Sequence, residues 1–117
     1  MIEGSQIDRA GHDNDSNSLI EEVLDLDDAI RIALDFAVED GETLVVVTSD
    51  HETGGFALHK GSVMDRSITE TAFTSIGHTA SMVPLFAFGP GEEVFGGIHD
   101  NTWVGRTLIN YVRKNSD

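Results

Sequence analysis

Three groups of side chains in this sequence have the types and spacing to hold a divalent cation. Asp8 and His12 stand four residues apart, so on a helical turn they share a face and can grip one ion. Asp50 and His51 follow directly on an apolar β-branched run within residues 45–55, VVVTSDHETGG. Gly77-His78-Thr79 places another histidine just ahead of a second apolar run, PLFAF. Glu3 adds a carboxylate beyond Met1-Ile2. Taken singly, each has an ordinary reading: a solvated helix edge, a loop histidine, a surface charge near a chain end. Taken together they change meaning, because each follows or precedes a candidate core strand on one edge. That shared placement points to a divalent-metal site. His59 and His99 lack a comparable acidic frame and read as loop residues.

The elements that must position these groups follow from periodicity. The run at 44–48 is continuously apolar, which suits a strand buried on both faces of a parallel sheet. In such sheets ligands bind beyond the carboxyl ends of the strands, where Asp50 and His51 stand. Ahead of it, Leu19, Val23, Leu26, Ile30, Leu34 and Ala37 recur at helical spacing with acids on the opposite face, predicting an amphipathic helix over 19–39. Asp15 and Ser16 are its capping candidates, and Gly41 ends it. Met1-Ile2 reads as the end of a preceding strand, completing a βαβ unit. Residues 56–59 suggest a short extra strand, and 61–75 an aperiodic loop. Residues 84–88 form a second core strand, broken by Gly89-Pro90-Gly91. Asn101 or Thr102 caps a last helix whose inner face carries Val104, Leu108, Tyr111 and Val112. The expectation is an α/β fold in which residues 1–117 form one domain or a piece of one.

Composition narrows the chemistry. The 117 residues carry a net charge of −14, which disfavours nucleic acid or an anionic membrane as partner. Cysteine is absent, so a metal site here must use nitrogen and oxygen donors. No apolar stretch is long enough to span a membrane, and no basic-plus-apolar leader opens the sequence.

Four stretches, EGSQID-x-AGH (3–12), VVVTSDHETGG (45–55), GHTASMVPLFAFGPG (77–91) and HDNTWVGRTLI (99–109), resemble the alkaline phosphatases in order and spacing. The resemblance implies a sandwich with a mostly parallel central sheet and flanking helices. It also implies a metal-dependent phosphomonoesterase with two Zn2+ and one Mg2+, working through a phosphoserine on phosphate monoesters. By position, Asp8, His12 and His78 would bind the first zinc, Asp50 and His51 the second, and Glu3 the magnesium. Arg9 stands at a position near the phosphate. In the family the serine nucleophile, the phosphate-clamping arginine and a carboxylate shared by the second zinc and magnesium come from the amino-terminal half. Ser5, Ser49, Ser62 and Ser81 have no nucleophile context, so no catalytic nucleophile is expected in this chain. The first zinc site is expected to persist, with the other two poorly formed unless an amino-terminal half or a second copy (a homodimer) completes them. The resemblance implies a periplasmic or secreted protein. The alternatives are a non-catalytic zinc-binding module, or a phosphodiesterase or mutase of the same superfamily.

Overall fold

The computed structural model describes residues 1–114. Residues 1–4 are irregular, so the strand expected at Met1-Ile2 is not formed. The chain enters α1 (Ser5–His12), turns through Asn14 at φ +53, and continues as α2 (Ser16–Asp40). Asp15, not Ser16, is the N-cap: its carboxylate accepts from the Asn17 and Ser18 amides at 3.1 and 3.2 Å. At the other end Gly41 adopts φ +70 and donates to the Ala37 carbonyl, as the sequence predicts.

Six short strands follow: β1 (Val45–Thr48), β2 (Glu52–Thr53), β3 (Ala57–Ser62), β4 (Ser67–Ala72), β5 (His78–Thr79) and β6 (Leu85–Phe88). They pair as β1 with β6, β2 with β5 and β3 with β4, and every pairing is antiparallel. Among the described residues, then, the expected mostly parallel sheet is not what forms. β6 returns beside β1 in reverse, with Val45 opposite Phe88 and Thr48 opposite Leu85. Nor is β1 buried on both faces, since its valines are only half-buried. The loop expected at 61–75 is largely the second arm of a bulged hairpin. None of the β4 residues is buried and half are exposed, so no apolar alternation advertised the strand.

A single 3-10 turn (Glu92–Phe95) leads to α3 (Asn101–Lys114). The cap there is Asp100, one residue before the two candidates, whose Oδ1 accepts from the Thr102 amide at 2.9 Å and hydroxyl at 2.6 Å. Phe95 is buried against Trp103 and Tyr111. Leu108 and Val112, expected on the inner face, are exposed.

Among the described residues the buried apolar set is small: Ala10, Leu19, Ala37 and Phe95. Ala10 and Gly11 are the buried residues of α1, and Gly54 is buried after β2. Ile30 and Leu34 of α2 face Val45, Val47, Phe86 and Phe88 across an apolar groove. Among the described residues no helix is long and apolar enough to cross a membrane.

Candidate metal centre

Two glycines bring α1 against β2. A Cβ on Gly11 would lie 3.0 Å from the Thr53 methyl and carbonyl oxygen. Gly54, at φ +85, would press a Cβ to 2.8 Å from the Gly11 carbonyl oxygen. No larger residue permits this approach. Gly54 also pins the segment before β5: its amide donates to the Gly77 carbonyl at 3.0 Å, and its carbonyl accepts from the Thr74 and Ser75 amides at 2.9 and 3.0 Å. His78 is thereby carried to the face of α1 that bears Asp8 and His12.

The result is a triangle of ligand atoms. His12 Nε2 lies 3.2 Å from His78 Nε2, and Asp8 Oδ1 lies 3.5 Å from each. Two ligands about 2.0–2.1 Å from a tetrahedral ion are about 3.3 Å apart, so the three edges match one face of a zinc tetrahedron. His12 Nδ1 lies 2.7 Å from the Ile76 carbonyl oxygen, to which it can only donate. That bond leaves the lone pair on Nε2, pointed into the triangle. Two imidazoles and a carboxylate form a donor set that zinc favours, with a fourth position open. The residues therefore fit the metal.

The remaining sequence candidates are placed at different removes. His51 stacks on His78 with ring centroids 3.5 Å apart and planes at 20°. Asp50 is highly exposed, with Oδ2 3.4 Å from His51 Nε2, and its Oδ1 accepts from the His51 amide at 3.1 Å. The second pair thus abuts the first cluster. Glu3 is exposed in the irregular segment before α1 and lies outside the cluster. Arg9 lines a cleft between α1 and α2 with Gln6, Asp13, Asp15 and Glu22. Ser49 Oγ donates to the His51 carbonyl at 2.6 Å. Among the described residues no serine hydroxyl is bonded to the side chains of the triangle.

Two residues the sequence reading passed over hold this arrangement. Thr53 Oγ1 donates to Asp8 Oδ1 at 2.5 Å, and this bond, opposed by burial and assisted by the nearby His12, His78 and His51, keeps the Asp8 carboxyl below its ordinary value. Glu52 Oε1 accepts from the Gly55 and Phe56 amides at 2.8 and 3.3 Å, and Oε2 accepts from the Thr79 hydroxyl. It ties the glycine turn to the residue next to His78. A signal existed for Thr53: it stands two residues after His51, inside the same VVVTSDHETGG stretch that carries the Asp50-His51 pair.

A model of the alkaline phosphatase family matches residues 1–67. Alkaline phosphatase 3 of Bacillus subtilis is 29% identical over 98% of this chain and 40% of its own length. The repressible alkaline phosphatase of Saccharomyces cerevisiae is 36% identical over 97% of this chain and 17% of its own. The solved alkaline phosphatase of the Antarctic bacterium TAB5 superimposes with a TM-score of 0.75 at 50% identity, covering 84% of this chain and 30% of that one. A variant of that enzyme (TM-score 0.74, 51% identity, 84% and 31% covered) was solved with Mg bound in its M3 site. The chain thus spans well under half the length of the relatives it matches. A family model that matches more than half of the chain, a relative 36% identical over nearly all of it and a solved structure at 50% identity lead to one conclusion: the chain belongs to the alkaline phosphatase family.

Proposed function

We propose that this chain carries the zinc-ligand part of a phosphomonoesterase acting on phosphate monoesters, with inorganic phosphate as product. The observation that supports this best is the Asp8–His12–His78 triangle, whose edges fit a tetrahedral ion. Asp8, His12 and His78 would hold one Zn2+, Asp50 and His51 would give two ligands to a second, and Glu3 one to Mg2+. When bound, zinc there supplies Lewis acidity toward an ester oxygen. The chain's own part is to fix the ligand atoms. His12 is oriented by the Ile76 carbonyl, Asp8 by Thr53, and His78 by the Gly54–Gly77 and Glu52–Thr79 bonds. Arg9, which lines the cleft between α1 and α2, would have to turn toward the triangle to add positive charge for the phosphate.

The serine nucleophile would come from an amino-terminal half, which also supplies parallel neighbours to the open edge of β1. That completes the mostly parallel central sheet and fills the remaining metal positions. The protein would be periplasmic or secreted, and could work as a homodimer.

Zinc titration by calorimetry is expected to give one tight site per chain, abolished in His78→Ala and Asp8→Ala. No zinc binding to the folded wild-type chain overturns the reading. The second reading, a non-catalytic zinc module, is favoured by the lack of a serine hydroxyl at the triangle among the described residues. Mixing the chain with an amino-terminal half from a related alkaline phosphatase separates the two. Restored hydrolysis of p-nitrophenyl phosphate supports the enzyme, whereas binding without turnover supports the module.

A further inference from the structure

Thr53 lies outside the ligand set, yet its side chain touches both halves of it. Its Oγ1 donates to Asp8 Oδ1 at 2.5 Å and lies 3.2 Å from His51 Nδ1. An ionised carboxylate can only accept, so the single hydroxyl proton is committed to Asp8. Toward His51 the same oxygen can then only accept, which requires His51 Nδ1 to carry a proton. The lone pair of that ring is left on Nε2, the nitrogen beside Asp50 Oδ2. A directed chain of donors therefore runs from His51 through Thr53 to Asp8.

The fold holds this hydroxyl in place from three sides. Thr53 sits opposite His78 in the β2–β5 pair, so the α1, β2 and β5 segments all converge on it. Its methyl rests against Gly11, where even a Cβ would approach to 3.0 Å. For a β-branched side chain that contact restricts χ1 and keeps the hydroxyl on the Asp8 side.

We propose that Thr53 is a positioning residue that sets the His51 tautomer and the Asp8 orientation together, coupling the two candidate zinc positions through one hydroxyl. The coupling to zinc rests on the metal reading given above, but the tautomer does not.

Long-range 1H–15N correlation of the histidine rings in the metal-free chain, at about pH 8.5 where an ordinary imidazole is neutral, tests it directly. The expected result is a protonated Nδ1 at His51, lost in Thr53→Val and kept in Thr53→Ser. Zinc calorimetry is then expected to show affinity reduced about 10–100-fold in Thr53→Val, the usual effect of losing a partner that orients a ligand, and largely restored in Thr53→Ser. A wild-type His51 protonated on Nε2 overturns the proposal. So does a Thr53→Val chain with wild-type circular dichroism and wild-type zinc affinity. A wild-type chain that binds no zinc defeats the metal reading instead, and the tautomer spectrum still decides the role of Thr53.

Discussion

Gly54→Ala should damage both stability and metal affinity, and the structure says by how much. The residue has φ +85, where an L side chain costs about 1–2 kcal/mol. The new methyl would also meet two unyielding neighbours, the Gly11 carbonyl oxygen at 2.8 Å and Phe73 Cδ1 at 2.9 Å. Phe73 is itself packed on Phe56, with ring centroids 4.9 Å apart. Contacting heavy atoms ordinarily sit at about 3.5 Å, so α1 must retreat from β2 by roughly 0.7 Å. Overpacking of this kind costs about 1–3 kcal/mol, which gives a total loss of about 2–5 kcal/mol. The retreat also opens the Asp8 and His12 edges of the triangle, so zinc affinity should fall at least about tenfold. Gly41→Ala is the control, because Gly41 has φ +70 with nothing within 4 Å of the added carbon. It should lose only the conformational strain and leave zinc binding intact. Urea unfolding and zinc calorimetry on both variants decide the matter. Equal stability losses with unchanged zinc affinity would refute the claim that close approach at Gly54 builds the site.

Two further outcomes follow from the same bonds. The Asp8 carboxyl is held below its ordinary value of 3.8, first by the Thr53 hydrogen bond. A folded value below the unfolded one means stability that is fully present above about pH 4 and lost as pH falls through the folded value. Asp15 and Asp100, lowered chiefly by Ser18 and Thr102, act in the same sense. Unfolding followed by circular dichroism from about pH 6 to 3 should therefore show declining stability, and Asp8→Asn should flatten that decline. A wild-type curve that stays level across the range counts against the Thr53–Asp8 bond. Glu52→Ala strips acceptors from the Gly55 and Phe56 amides and the Thr79 hydroxyl, so it should cost about 2 kcal/mol in urea unfolding. It should also weaken zinc binding by freeing the segment next to His78. Unchanged affinity would show that Glu52 stabilises the turn without orienting the histidine.

What the sequence determined by itself was local. Asp8 and His12 share a helical face because they are four residues apart in α1, and no other part of the chain is needed for that. The extent of α2, its glycine stop and the β1 run were legible for the same reason, since periodicity and capping act over a few residues. The start of β3 was legible as a short strand at 56–59, but its partner β4 was not, because that arm carries no apolar alternation. The Asp100 cap was missed by one residue, the usual reach of such signals. Tertiary structure decided which candidates meet. His78 joins His12 across a separation of 66 residues, and Thr53 reaches Asp8 across 45, while Glu3 and Arg9 remain outside the cluster. No spacing rule encodes that convergence. It depends on two glycines, Gly11 and Gly54, whose missing side chains let one backbone lie against another, and on hydrogen bonds that only that approach makes possible.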